Sequence, residues 1–238
     1  MLMVEKVAGK KIEKKDDARE LIIQANELMV SGKFERALPI LDKALKLKPD
    51  REDLWLTKAD ALSSIGRHRE AIECCDQALK IKPDYDDAHY HKGFALCALG
   101  KYEESLPCFD EALRIDPGFS NALAYKGIAL THLRRDDEAI SFYKQALEKD
   151  PDNVLMLANL GSLLSSQPEH LIDALPYLKR ALDLQPNNPG LLIIIVQALD
   201  KIGRFDESEM LLNRLARLIE KEDGQSKKDS SGLPPISQ

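Results

Sequence analysis

Apolar residues recur along the chain in short blocks with helical spacing, and the blocks come in pairs. In one pair Leu54, Leu56, Ala59 and Leu62 mark a first helix, which a turn at Gly66 ends. A second block runs from Ala71 to Ala78 and Leu79 and stops short of Pro83, because proline disfavours helix at the residue before it. The pair then returns. The phrases "ALKLKPD", "ALKIKPD", "ALRIDPG", "ALEKDPD" and "ALDLQPN" place Pro49, Pro83, Pro117, Pro151 and Pro186 at spacings of 34, 34, 34 and 35 residues. Gly32, Gly66 and Gly100 sit 17 residues before their prolines, and Gly203 opens the same slot in a last, proline-less unit. Arg134 takes that slot in the fourth unit, and Pro168 takes it in the fifth, where "SSQPEHLID" carries a one-residue insertion. A small residue precedes each second helix: Ala37, Ala71, Ser105, Ala139, Ala174 and Ser208. One helix pair of this length cannot bury its own apolar face. Stacked pairs share a continuous core, so the pattern predicts an all-α repeat array.

The residues inside each unit carry a resemblance. The second unit shows Trp55, Leu62, Ala71, Cys75, Ala78 and Pro83. The third shows Gly93, Leu96, Gly100, Tyr102, Phe109, Ala112 and Pro117, and the fourth Gly127, Leu130, Ala139, Tyr143, Ala146 and Pro151. Set against W-x₂-L-G-x₂-Y, A-x₃-F, A and P in a 34-residue unit, the chain resembles the tetratricopeptide repeat (TPR) family. The resemblance implies an all-α, right-handed α-solenoid of antiparallel helix pairs, the TPR superhelix. Its repeats are expected at 18–51, 52–85, 86–119, 120–153, 154–188 and a degenerate 189–222. Residues 1–17 are expected to be a charged segment, either a frayed helix or mobile, and 223–238 a flexible tail.

In that family, positions 2, 5, 6 and 9 of each first helix line the concave surface, one stripe of neighbours three and four apart. Carried onto this chain, the stripe includes Asp53, Leu56, Thr57 and Asp60, then Asp87, Tyr90, His91 and Phe94, then Asn121, Ala124, Tyr125 and Ile128. It continues with Leu155, Ala158, Asn159 and Ser162. The candidate groove residues are Asp60, Asp87, Tyr90, His91, Phe94, Asn121, Tyr125, Ile128 and Asn159. Some family members clamp the C-terminal carboxylate of heat-shock chaperones with Lys, Asn and Arg across three units. The best window here offers Ile22 and Asn26, Thr57, then Asp87 and His91, so only Asn26 matches and no such clamp is expected. The sixth position reads Ile23, Thr57, His91, Tyr125, Asn159 and Ile194, which is no asparagine ladder. The expected ligand is an apolar or weakly basic peptide, helix or protein surface. Tyr90 and Phe94 serve either as its anchors or as packing between the third and fourth units.

Composition narrows the function. Net charge is −6 with 31% charged and 5% aromatic residues, which argues against a nucleic-acid partner. The longest apolar run, Leu191 to Val196, is far short of a membrane span, and the first residues form no secretory h-region. Cys74, Cys75, Cys97 and Cys108 form no C-x-x-C pair and read as free, mostly buried thiols of a cytoplasmic chain. His89 and His91 lie about 200° apart around a helix and cannot chelate one ion. His89 is expected in the core. No phosphate-binding, nucleophile-elbow or zinc-protease motif occurs, so neither enzyme activity nor a metal or cofactor is expected.

The helix "PGLLIIIVQALDKIG" has almost no polar face, and the last helix carries Leu211, Leu212, Leu215, Leu218 and Ile219 with no further helix to cover it. Ile193, Ile194, Leu211, Leu215 and Leu218 are therefore candidates for an oligomer interface. The function expected is a non-catalytic protein–protein interaction module or scaffold. The alternative is a structural or assembly subunit whose sixth repeat oligomerises.

Overall fold

The computed structural model describes residues 18–230 and places helix wherever the paired apolar blocks predict it. The helices are α1 (residues 18–30), α2 (Phe34–Leu47), α3 (Glu52–Ser64), α4 (His68–Ile81), α5 (Asp86–Ala98) and α6 (Tyr102–Ile115). They continue as α7 (Ser120–His132), α8 (Asp136–Lys149), α9 (Val154–Ser166), α10 (Leu171–Leu184), α11 (Pro189–Lys201) and α12 (Phe205–Ser230), with a 3₁₀ turn at Pro168–His170 at the insertion. The described residues contain no strand. Gly66 and Gly100 turn their corners at φ of 78° and 74°, where a side chain is strained. Arg134 takes the same left-handed conformation at φ 60°. Asn153 and Asn188 cap α9 and α11, each accepting a backbone N–H at 3.2 Å. The final helix runs past the boundary at 222 drawn from the sequence. The expected N-terminal segment, 1–17, and residues 231–238 of the expected tail lie outside the described residues.

The chain divides into two compact units, one ending at Arg134 and one starting at Arg135. Within each, antiparallel helix pairs stack: α3 on α4 on α5 on α6 in the first, α9 on α10 on α11 on α12 in the second. One apolar side chain per repeat sits at the centre of the packing. Leu41, Cys75, Phe109, Tyr143 and Leu178 occupy the same register and are all 0–1% exposed. Ala44, Ala78, Ala112, Ala146 and Ala181, one turn on, are fully buried and keep the helices close. Gly93 exists to admit Phe109: a Cβ there would stand 2.7 Å from the phenyl ring. Gly161 does the same for Leu178, at 2.5 Å. Ser105 replaces alanine at no cost in unpaired polarity, since its Oγ donates to the Tyr102 carbonyl at 2.7 Å.

Two further interactions repeat with the sequence. Lys58, Lys92 and Lys126 each reach back to the preceding repeat and pair with Asp42 (2.6 Å), Asp76 (2.7 Å) and Asp110. The carboxylates are solvent-accessible, so each pair contributes at most about 1 kcal/mol, but together they fix the stacking register. Trp55 donates its indole N–H to the Pro49 carbonyl at 3.0 Å. The His89 ring takes the same place one repeat later, with Nε2 2.9 Å from the Pro83 carbonyl. His89 is therefore half-buried and tied to the turn, where the sequence register expects core packing. All four cysteines are free. Burial pushes the Cys74 and Cys75 thiols up to about 11 and about 12, which keeps them protonated and unreactive.

Gly93→Ala is expected to destabilise the first unit by about 1–3 kcal/mol, as overpacking does, and Gly93→Ala with Phe109→Leu is expected to recover part of the loss. Urea unfolding of the three chains measures this; an unchanged midpoint for Gly93→Ala would contradict the packing described.

Candidate protein-binding site

Helices α3, α5 and α7 present their equivalent stripes side by side in the first unit. Asp60, Ser63 and Ser64 from α3, Tyr90, His91 and Phe94 from α5 and Tyr125 from α7 enclose a hollow of about 260 Å³. The helical period puts Tyr90 and Phe94 one turn apart on one stripe, and the 34-residue repeat sets Asp60 and Phe94 in the same register one repeat apart.

Tyr90 is the hub. Its ring lies 5.1 Å from Phe119, 5.8 Å from Tyr125 and 6.4 Å from Phe109, and it meets His91 at 5.1 Å. These contacts span the third and fourth repeats, so Tyr90 is first a packing residue. Burial pushes its phenol well above the ordinary tyrosine range. Phe94 meets Tyr125 at 5.1 Å with planes 79° apart, and His68 edge-on at 6.4 Å. Both remain half-exposed toward the hollow.

His91 is half-buried. Burial lowers its affinity for a proton below the ordinary imidazole value, although Asp60 and Asp87 pull the other way. Asp60 makes no hydrogen bond or ion pair among the described residues. The Ser63 hydroxyl is buried in the wall without a partner. Asp87 and Asn121 are solvent-exposed on α5 and α7 outside this hollow, and Ile128 is half-buried. Ala124, on the expected stripe, is buried instead. Asn159 is half-buried on α9 in the second unit. Sequence register alone missed Ser63 and Ser64, which lie beyond the ninth position of the repeat but still reach the hollow from the end of α3.

A second hollow, about 430 Å³, lies in the second unit beside the insertion, among Ile140, His170, Pro176 and Tyr177. It lacks the convergence of rings, and its His170 is already engaged with Asp173 at 3.4 Å.

The tetratricopeptide repeat profile matches residues 28–97 and 169–226, and a second profile of the same description matches 90–154. The chain belongs to the tetratricopeptide repeat family. TPR folds serve as protein–protein interaction modules. The chain matches no curated protein in sequence. Among solved structures, PilF of Pseudomonas aeruginosa is 18% identical with a TM-score of 0.76, over 90% of this chain and 99% of that one. PilW, described as a widely conserved type IV pilus biogenesis factor, is 25% identical with a TM-score of 0.75, over 83% and 91%. YrrB, described as a TPR protein with an unusual peptide-binding site, is 27% identical with a TM-score of 0.60, over 77% and 95%.

The TPR register also exposes an anomaly at the end of the array. Leu212 stands where Leu41, Cys75, Phe109, Tyr143 and Leu178 stand, yet it is 46% exposed. Phe205 and Ile219, seven residues to either side, are exposed with it, as is Ile193 on α11. Leu211, Leu215, Leu218 and Ile194 are half-buried. On α12 the most exposed apolar positions at seven-residue spacing are Phe205, Leu212 and Ile219, while Leu211, Leu215 and Leu218 keep part of their surface open. No helix among the described residues is long and apolar enough to cross a membrane.

A histidine that resists protonation when folded binds fewer protons than the unfolded chain, so stability falls as pH drops through the ordinary imidazole value of 6.5. The urea midpoint is expected to fall between pH 7 and about pH 5.5, and to fall less in His91→Gln. Equal slopes for the two chains would contradict the placement of His91.

Proposed function

We propose that this TPR chain binds a peptide, helix or protein surface along the first-helix face of α3, α5 and α7, without catalysis. One observation carries the reading: half-exposed aromatic rings from neighbouring repeats converge on one hollow. Asp60, Asp87, Tyr90, His91, Phe94, Asn121, Tyr125 and Ile128 are its proposed contact residues, with Asn159 a further candidate on α9. The likeness to YrrB, described as having a peptide-binding site, supports a peptide as ligand. The lack of the Lys–Asn–Arg set supports a ligand other than a chaperone carboxylate terminus. Four free thiols fit a reducing compartment such as the cytoplasm.

Tyr90 is too deeply engaged in packing to be a clean probe, so the test uses Phe94. A displayed library of random linear peptides is panned on the full chain. Selected peptides are expected to bind Phe94→Ala about tenfold more weakly, the scale of one aromatic anchor. Peptides that bind Phe94→Ala and the parent chain equally would overturn the reading.

The exposed register of Leu212 favours a second reading, in which the sixth repeat assembles with another copy through the α11–α12 end and the chain is a structural subunit. Sedimentation over a wide concentration range is then expected to show a dimer that Leu212→Glu dissociates. A parent chain that stays monomeric throughout would remove this reading.

A further inference from the structure

We propose that the hollow between α3, α5 and α7 is a cage for one basic side chain, a lysine or arginine presented by the bound partner. The inference rests on the peptide-binding reading above and specifies what that site recognises.

The walls are aromatic and steeply inclined. Tyr125 stands at 67° to Tyr90 and 79° to Phe94, with ring centroids 5.8 and 5.1 Å away. Rings set this way form the sides of a box rather than a closed stack, and ring faces attract cations. One carboxylate completes the box. Asp60 lines it from α3 and pairs with no cation among the described residues, whereas Asp42, Asp76 and Asp110 each hold a lysine. Asp87, solvent-exposed on the same stripe outside the hollow, adds negative charge within reach of His91. His91, the one basic ring in the lining, is held neutral by burial and so does not repel a cation. Ser63 lines the hollow, and its buried hydroxyl has no hydrogen-bond partner.

Size and charge then exclude the alternatives. About 260 Å³ is below the usual range of small-molecule pockets and holds a single side chain. An apolar side chain there would strip water from the Asp60 carboxylate and leave it unpaired, which is costly; an acidic one would add repulsion. A cation gains from both the carboxylate and the rings.

The test titrates the full chain with Nα-acetyl-lysine amide, Nα-acetyl-arginine amide and the uncharged Nα-acetyl-norleucine amide, following the ring resonances of Tyr90, Phe94 and Tyr125 by NMR. Lysine or arginine probes, or both, are expected to shift these rings with an affinity on the order of millimolar, and norleucine at least about tenfold more weakly. Asp60→Asn is expected to erase most of the preference; the side chain has no partner to lose, so the fold is retained. Norleucine as effective as the cationic probes, or cationic binding unchanged in Asp60→Asn, would overturn the cage. The library separates the two claims. Selected peptides that depend on Phe94 but carry no common lysine or arginine leave the binding face standing and remove the cage. A common basic residue whose enrichment disappears in Asp60→Asn supports both.

Discussion

The packing of one wholly buried apolar side chain per repeat against small residues is the constraint on which the rest depends. Leu41, Cys75, Phe109, Tyr143 and Leu178 are each wholly buried, and the alanines one turn further on let the helices approach. Where the large residue is aromatic in the third repeat, Gly93 opens the opposite helix to receive it. Each such contact needs a neighbour, because a helix pair alone leaves one apolar face open to water. Periodicity in the core therefore becomes periodicity on the surface. The same 34-residue step that repeats the core knob also repeats the stripe on which Asp60 and Phe94 fall.

The candidate site grows out of that arrangement. Tyr90 belongs to both core and surface: it packs on Phe109 and Phe119 while one side lines the hollow. A ring locked from behind in this way is a rigid wall, and rigidity lowers the ordering cost of binding. Phe94 and Tyr125 extend the wall, and Asp60 gives it a sign. At the far end of the array the same logic leaves a deficit. Leu212 has the register of a core residue, yet it is exposed where its counterparts are buried.

The helix pairs, turns and repeat register were legible in the sequence because they rest on local signals repeated several times: glycine at the positive-φ turn, proline after the second helix, small residues at the close contact. The candidate stripe came from setting the groove positions that the resemblance implies onto the repeat register, and Asp60, Tyr90, His91, Phe94 and Tyr125 of it meet around one hollow. Four features were not legible. Ser63 and Ser64 reach the hollow by distance in space rather than by stripe position. His89 leaves the core to meet the Pro83 carbonyl, a choice set by the neighbouring turn. The free face of α12 depends on how that helix rolls on α11, which five leucines and isoleucines spread around its surface do not decide. The lysine–aspartate pairs between repeats were also hidden, since each joins residues 16 apart that helical periodicity within one helix does not relate.

The most direct measurement is an NMR structure of the full chain with a library-selected peptide, read through intermolecular nuclear Overhauser effects. The account predicts contacts between the methylenes of one lysine or arginine of the peptide and the rings of Phe94 and Tyr125, with its charged end at Asp60. A peptide bound on the opposite, second-helix surface, with no contact to α3, α5 or α7, would contradict it.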